Sequence, residues 1–276
     1  MNLTFIGGGN MATALIGGLV DKGADPRGFR VVDPFAEQQD KLVARFPGLG
    51  IFGETTAGAV DGAELVLMAV KPQQMREAAT ALAPFIADVP VVMSIAAGIR
   101  AADLARWLGG YRRIVRAMPN TPTLVGAGIS GAFASLDVDA RARRLAGRVL
   151  EAGGDVVWVQ REEALDAVTG VSGSGPAYVL YFLEGLEQAA RDLGFSATDA
   201  RKLSYATFAG AIKLAQASDL EPGILRAQVT SKGGTTERAL GMLEADAVKA
   251  SFIAAIKGAA ERARELGDVF GDKSEK

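Results

Sequence analysis

The sequence contains neither cysteine nor histidine in its 276 residues. The lack of cysteine excludes disulfide bonds, thiol nucleophiles and cysteine-ligated zinc sites. The lack of histidine excludes Ser-His and Cys-His catalytic arrangements and any imidazole proton relay. Chemistry in this protein must therefore use hydroxyl, amine, carboxylate or backbone amide groups, or a bound cofactor. We predict no metal site.

An excess of charge of one sign is also absent, since 30 Lys and Arg stand against 32 Asp and Glu. We therefore expect neither nucleic acid nor a membrane surface as a partner. Long apolar runs are missing too, because a stretch such as Val89–Ile99 is short and interrupted by proline and serine. The first basic residue is Lys22, which argues against a signal peptide, and we expect a cytoplasmic location.

Apolar residues are abundant at 49%, enough for a full globular core. Up to about residue 160, short apolar runs alternate with helical patterns, and this alternation predicts a parallel, doubly wound α/β sheet. The predicted strands are Leu3–Ile6, Phe29–Val32, Leu65–Val70, Val91–Ser94, Ile114–Ala117 and Val156–Val159. The predicted helices between them are Met11–Asp21, Ala36–Arg45, Gln73–Ile86 and Ala102–Trp107.

Beyond residue 160 the pattern is helical only. Ser196 followed by Asp199 predicts a capping box at a helix start, and further helices are predicted over Thr236–Glu244 and Ala247–Leu266. A stripe of apolar residues at helical spacing is by itself typical of ordinary core, but the faces here are wide and together favour dimerisation. The stripe residues are Val179, Leu183, Leu186, Ala190 and Leu193.

A glycine-rich turn stands between the first strand and the first helix and reads G-x-G-x-x-A. Gly7 permits a tight turn, Gly9 lets the backbone approach a pyrophosphate, and Ala12 allows close helix packing. The free N–H groups at the helix start suit phosphate oxygens. The pattern predicts a dinucleotide site that uses Ile6, Gly7, Gly8, Gly9, Asn10, Met11 and Ala12.

Asp33 follows the second strand, 24 residues after Gly9, where a carboxylate can accept hydrogen bonds from the adenosine ribose. Such a charge would repel a 2′-phosphate, so we expect NADH to be favoured over NADPH. The alternative is an acidic turn residue before Pro34 with no ligand role. Two further loops follow strands and are predicted to touch the cofactor, although Lys71 could equally be a solvated charge. They are formed by Ala69, Val70, Lys71 and Pro72, and by Ala96, Ala97 and Gly98 within Ser94–Gly98.

Three further clusters are candidates for the substrate end. Asn120 lies in a proline-rich loop after a predicted strand, and Ser174 lies in a cluster that is equally typical of a helix start capped by Ser174 or Gly175. The third cluster, Ser231–Glu237, places two glycines before a helix, where successive N–H groups can receive a carboxylate. Its candidate ligand residues are Gly233, Gly234, Thr235 and Thr236.

The order of these motifs resembles the pyrroline-5-carboxylate reductase family over nearly the whole chain. The motifs are Gly7–Ala12, Ala69–Pro72, Ser94–Gly98, Met118–Pro122, Val171–Tyr178 and Ser231–Thr236, of which the last three are specific to that family. The resemblance implies a Rossmann-type domain over residues 1–160 and an all-α dimerisation and substrate domain over residues 161–276. It also implies reduction of Δ1-pyrroline-5-carboxylate to L-proline with NADPH or NADH, by dimers that often assemble into decamers.

The resemblance further implies which side chains meet the substrate. The substrate carboxylate would bind the amides of Gly234–Thr236, with the Thr236 hydroxyl near the ring nitrogen as the catalytic group, and Glu162 and Gln228 would approach the ring. A cyclic imine protonates readily, so a strong general acid is not essential. Two departures from the family stand out: Lys232 replaces the usual proline, and Asp33 replaces the small or basic residue that many NADPH-dependent members carry.

Two other functions remain open from the residues. One is a different imine or β-hydroxyacid reductase on the same plan, although the latter relies on a lysine that Ala177–Leu193 lacks. The other is a non-catalytic dinucleotide sensor, which would have no use for the loop at Gly233–Thr236.

Overall fold

The computed structural model describes residues 1–271 and divides into two compact units. Of the described residues, the first unit holds Met1–Ser174 together with 257–271, and the second holds Gly175–Ile256. The boundary between the units thus falls later than the predicted boundary at 160/161, and residues 257–271 pack with the first unit. Residues 272–276 of the predicted second domain lie outside the described part of the chain.

The first unit is built on one eight-stranded sheet with the order β3-β2-β1-β4-β5-β6-β7-β8. Neighbouring strands are parallel except β6 and β7, so the prediction of a parallel sheet is wrong for that one pair of strands. The strands are β1 Leu3–Ile6, β2 Phe29–Val32, β3 Gly50–Phe52, β4 Leu65–Met68, β5 Val92–Ser94, β6 Ile114–Met118, β7 Gly128–Ala134 and β8 Gly154–Trp158.

The pattern did not predict β3 and β7. β3 has only three residues, and β7 is built largely from glycine and alanine instead of branched residues. β7 can run antiparallel to β6 because a short 3₁₀ turn, Thr121–Val125, joins the two strands and no crossover helix is needed.

Helices cover both faces of this sheet and bury two apolar clusters. Phe5 and Leu67 point into one cluster, while Ile6 and Val66 point into the other, as the alternation of side chains along a strand requires. The helices of the first unit are α1 Asn10–Asp21, α2 Ala36–Arg45, α3 Ala57–Val60, α4 Met75–Leu82, α5 Ala101–Trp107, α6 Ala140–Glu151 and α7 Ala164–Val168. With both faces covered, the carboxyl ends of the parallel strands remain available for ligands.

The remaining helices are α8 Gly175–Asp192, α9 Ala197–Gln216, α10 Pro222–Gln228, α11 Thr235–Ala245 and α12 Val248–Phe270, whose last part belongs to the first unit. Ser196 caps α9 as predicted, accepting a hydrogen bond from the Asp199 N–H at 3.1 Å. The core interpretation of the stripe on α8 is wrong within this chain, because α8 has no buried residue and the stripe residue Val179 is 53% exposed. Within residues 1–271 no helix is both long and apolar enough to cross a membrane.

The predicted helix start is confirmed, because α8 begins at Gly175 and Pro176 lies in its first turn, but Ser174 does not cap it as predicted. Ser174 has helical dihedral angles, φ −86° and ψ −16°, and forms a bend between α8 and a π-helical turn over Thr169–Gly173 that follows α7. Pro176 has no N–H to donate to the Ser172 carbonyl one turn earlier. That carbonyl instead accepts a hydrogen bond from Asn120 Nδ2 at 3.1 Å. The missing N–H of Pro176 therefore accounts for the irregular turn, and the Asn120 amide satisfies the carbonyl that is left without a helical partner.

Candidate active site

The glycine turn after β1 lies at the point where the strand order reverses between β1 and β4. Gly7 has φ +95°, a conformation that favours glycine. A Cβ atom on Gly7 would lie 3.0 Å from the backbone carbon of Ala69 and 3.0 Å from Val70 Cγ1. The structure therefore brings together two of the loops that the sequence assigned to the cofactor.

The amino end of α1 is open. Gly9 is its N-cap, no side chain caps the helix, and the first turn carries no acidic residue. The N–H groups from Asn10 to Ala12 therefore face the strand ends without a competing carboxylate, and Ala12 is fully buried. Such an end attracts anions through free donors and the helix dipole, which fits the pyrophosphate of a dinucleotide.

Asp33 supports this turn from the end of β2. Its side chain is nearly buried, and Oδ2 accepts a hydrogen bond from the Gly8 N–H at 2.9 Å, while Oδ1 accepts one from the Phe35 N–H at 3.0 Å. Each carboxylate oxygen retains a second lone pair. Asp33 can therefore hold the glycine turn in shape and still accept a hydrogen bond from a ribose hydroxyl.

A cleft of about 780 Å³ opens beside these groups. The predicted cofactor residues that line it are Ile6, Gly7, Gly9, Asp33, Ala69, Val70 and Lys71. Gly8 and Ala12 instead support the turn from within, and Pro72 begins a 3₁₀ turn at the end of the Ala69 loop.

Sequence reasoning missed the wall that α2 contributes to this cleft. The Phe35 side chain is 65% exposed in the cleft, and Gln38 Nε2 donates a hydrogen bond to the Gly8 carbonyl at 2.5 Å. Lys41 also lines the cleft and pairs with Glu37 at 2.6 Å. The available signal was the spacing of 35, 38 and 41 along the helix that follows Asp33, which puts these residues on one face.

The loop after β5 does not line this cleft, but it lies beside the loop after β4. The Ile95 N–H donates to the Met68 carbonyl at 3.3 Å, and the Ala96 N–H donates to Ser94 Oγ at 3.3 Å. The predicted residues Ala96, Ala97 and Gly98 therefore extend the row of strand ends. Asn120 has its amide engaged at both ends, since Oδ1 also accepts from the Ile129 N–H at 2.9 Å.

Glu162 is held by an ion pair inside the first unit. Its Oε1 lies 2.7 Å from Arg116 Nη1 and also accepts a hydrogen bond from the Ala101 N–H at 2.6 Å, at the start of α5. The Arg116 side chain is buried, so the two charges stabilise each other away from water. The pair lines a second cavity of about 540 Å³ together with Asp166, whose pKa is raised by burial.

In the second unit, the candidate carboxylate receptor forms a tight turn before α11. The Gly234 N–H donates to the Ser231 carbonyl at 3.0 Å, and Gly234 is the N-cap of the helix. The Thr235 and Thr236 N–H groups have no acceptor within residues 1–271, as expected for the first turn of a helix. These two amides are therefore available as donors, as the predicted carboxylate receptor requires.

The sequence did not predict that a carboxylate of the protein itself already binds in this turn. The Gly233 N–H donates to Glu237 Oε2 at 2.6 Å, so one of the predicted donors already holds a carboxylate. A glutamate at the third helical position is the signal that could have found it, because such residues commonly fold back onto amides before the helix. Gln228 ends α10, shortly before the loop.

Two family models match parts of this chain. Residues 162–266 match the model described as pyrroline-5-carboxylate reductase dimerisation, and residues 2–98 match the model described as NADP oxidoreductase, coenzyme F420-dependent. A pyrroline-5-carboxylate reductase of Pseudomonas aeruginosa is 42% identical over 98% of this chain and 98% of its own length. The chain belongs to the pyrroline-5-carboxylate reductase family.

Solved structures of that family have the same fold. A pyrroline-5-carboxylate reductase from Coxiella burnetii matches with a TM-score of 0.89 and 37% identity over 96% of this chain and 98% of its own. A pyrroline carboxylate reductase from Plasmodium falciparum with NADP bound matches with a TM-score of 0.86 and 25% identity, over 97% and 98%. The resemblance and the fold class predicted from the sequence are thus confirmed, and the match to a dimerisation region indicates a homo-oligomer.

Proposed function

We propose that the chain reduces Δ1-pyrroline-5-carboxylate to L-proline, the last step of proline synthesis, with a nicotinamide dinucleotide as the hydride donor. The observation that carries the proposal is family membership at 42% identity over 98% of the chain. The open amino end of α1 and the two free threonine amides of α11 support it, because they suit the two anionic ligands of that reaction.

The cofactor is proposed to bind along the strand ends of the first unit. The amides of Asn10–Ala12 would hold the pyrophosphate, Asp33 the ribose and the exposed Phe35 ring the adenine face. The bound dinucleotide supplies the hydride, and the small residues Ala96 and Ala97 leave room for its nicotinamide end. The negative charge of Asp33 supports a preference for NADH, and Lys41 is already paired with Glu37.

The substrate is proposed to bind at the turn before α11. The Thr235 and Thr236 amides would receive its carboxylate, and the Thr236 hydroxyl would accept a hydrogen bond from the protonated ring nitrogen. Gln228, Glu162 and Ser174 remain predicted neighbours of the ring. The reduction adds a hydride to the imine carbon of an already protonated imine, so the protein need only orient the ring and exclude water.

The direct test is the oxidation of NADH or NADPH by the purified protein with Δ1-pyrroline-5-carboxylate, compared with the same mixture without substrate. We expect substrate-dependent oxidation with both cofactors and a higher kcat/KM with NADH. No oxidation with either cofactor would contradict the proposed activity, and a clear NADPH preference would contradict the role given to Asp33.

Thr236→Ala tests the hydroxyl. Loss of one positioned hydrogen bond to a charged group costs about 1.5–3 kcal/mol, or about 10- to 150-fold in kcat/KM. Thr236→Ser keeps the hydroxyl and is expected to retain most of the activity. Equal kcat/KM in Thr236→Ala and the unmodified protein would remove this residue from the mechanism.

The finer assembly and location also belong to this proposal. A dimer is the expected unit, with a decamer as the larger assembly, and the lack of cysteine supports a cytoplasmic location.

A further inference from the structure

The last turns of α12 lie directly behind the loop that follows β5. Gly98 in that loop has φ +74°, and a Cβ atom there would lie 3.1 Å from Phe270 Cδ2 and 3.3 Å from Leu266 Cβ. The Phe270 side chain also packs against the apolar cluster that includes Ile99 and Leu104. The loop therefore has a fixed surface behind it that leaves no room for a side chain at Gly98.

An ion pair also joins the last turns of α12 to the end of this loop. Arg100 Nη2 lies 2.8 Å from Asp268 Oδ1, and Arg100 is the N-cap residue of α5, where the loop ends. Gly267 makes the approach possible, since a Cβ atom there would lie 3.1 Å from Arg100 Nε. Small residues on both partners, Gly98 and Gly267, thus allow α12 and the loop to pack closely.

Hydrogen bonds hold the two ends of the loop independently of α12. Hydrogen bonds from the Ile95 and Ala96 amides fix its beginning, and the Glu162 carboxylate fixes the Ala101 amide just after its end. Between these points, within residues 1–271, the amides of Ala97 and Gly98 donate no such hydrogen bond, and α12 supports the stretch at Gly98. The position of this stretch therefore depends on residues 266–270.

We infer that Phe270 and the Arg100–Asp268 pair are positioning residues for the nicotinamide end of the cofactor. The inference rests on the proposed function, in which Ala96–Gly98 borders the nicotinamide. Hydride transfer demands close control of the distance between the reacting carbons, and a displacement of about 1 Å can cost about 100-fold in rate. A loop without its rear support would bind the dinucleotide more weakly and present it less accurately.

The test measures dinucleotide affinity in Phe270→Ala, Phe270→Leu and Asp268→Asn by fluorescence titration with NADH and NADPH, together with Tm. We expect Kd to rise about tenfold in Phe270→Ala, less in Phe270→Leu, and about two- to fivefold in Asp268→Asn, since a half-exposed ion pair contributes little. Because the titration needs no substrate, its result stands even where the proposed reaction fails.

Steady-state kinetics separate positioning from folding. We expect KM for the dinucleotide to rise and kcat to fall, while KM for Δ1-pyrroline-5-carboxylate changes less than twofold. The matched control is Glu265→Gln, which removes an exposed pair with Arg262 on the same helix and is expected to change neither constant. The exchange Arg100→Asp with Asp268→Arg is expected to recover affinity lost in either single variant.

A lower Tm with an unchanged dinucleotide Kd in both Phe270 variants would overturn the inference, because the contact would then serve folding alone. Equal losses in Glu265→Gln and Asp268→Asn would overturn it as well, since the effect would not be specific to the loop.

Discussion

Glu237 places a carboxylate on the Gly233 N–H, in the same turn where the substrate carboxylate is proposed to bind. Two negative charges in one turn repel each other. Glu237→Gln keeps an oxygen acceptor for the Gly233 N–H and removes the charge. We expect KM for Δ1-pyrroline-5-carboxylate to fall about two- to fivefold, the size of an exposed charge interaction of about 0.5–1 kcal/mol.

The control substrate is 1-pyrroline, the same ring without the carboxylate, for which KM should not change. The control variant is Glu244→Gln, which removes an exposed acid from the other end of the same helix. A higher KM for both substrates in Glu237→Gln would show that this residue shapes the turn instead of competing with the substrate.

Asp166 is a carboxyl whose ionisation is disfavoured in the folded protein. Burial raises its pKa, and Glu162 and Glu163 add to the effect, while Arg116 and Arg100 oppose it. A carboxyl with a raised pKa binds its proton more tightly in the folded state than in the unfolded state. The Asp166 carboxyl therefore adds to the stability of the folded state below the unfolded pKa of 3.8. That contribution is lost as pH rises through the folded pKa.

Asp166→Asn should accordingly raise Tm at pH 7, by no more than about 2 °C because the carboxyl is only partly buried. The gain should shrink as pH is lowered from 7 towards 4, where the native acid becomes protonated. Thermal unfolding followed by circular dichroism across that range checks both points. A constant difference at every pH would contradict the assignment to ionisation.

At the scale of elements, the π-helical turn between α7 and α8 depends on Asn120. This amide serves the Ser172 carbonyl and the Ile129 N–H at once. Asn120→Ala leaves both groups without that partner, and we expect a loss of about 1–3 kcal/mol in the free energy of unfolding, measured by urea titration. Asn120→Asp keeps the acceptor for Ile129 but turns a carboxylate oxygen towards the Ser172 carbonyl, so it should cost at least as much.

Pro176→Ala provides the second half of this test. It restores an N–H that can donate to the Ser172 carbonyl, so Asn120→Ala should cost less in the Pro176→Ala background than in the unmodified protein. Equal costs in the two backgrounds would mean that the Ser172 carbonyl does not depend on Asn120.

At the scale of the whole molecule, the second unit exposes apolar side chains that a stable monomer would bury. Tyr181 and Leu193 are 72% and 80% exposed on or next to α8. Surfaces of this kind mark protein interfaces, and the dimerisation match over residues 162–266 covers them. We therefore expect copies of the chain to associate through this exposed face of α8.

Tyr181→Asp should shift the protein from dimers or multiples of dimers towards monomers in light scattering, because it places an unpaired charge in an apolar contact. Gln188→Ala on the same helix removes only a polar side chain, which bonds Asp192, and is expected to leave the mass unchanged. Unchanged mass in Tyr181→Asp would contradict the assignment of this face.

Much of the fold was predictable because its signals are local. The strands Leu3–Ile6 and Phe29–Val32 and the helix Ala36–Arg45 have the predicted bounds, since each combines a periodic pattern with clear start and end residues. β7 escaped prediction because glycine and alanine form strands only where neighbouring strands supply the pairing. The π-helical turn before α8 was not predicted for a similar reason, since the amide that satisfies the Ser172 carbonyl comes from Asn120, 52 residues away.

By itself, the sequence determined the dinucleotide turn, the order of strands and helices along the chain, the resemblance to a reductase family and the absence of imidazole and thiol chemistry. These follow from residue types at fixed short spacing. Only the tertiary structure decided the partners of four groups. Asp33 accepts a hydrogen bond from the Gly8 amide, and Glu237 accepts one from the Gly233 amide. Glu162 pairs with Arg116, and α12 supports Gly98. Each of these depends on where a side chain finds its partner, and folding sets that distance independently of spacing in the sequence.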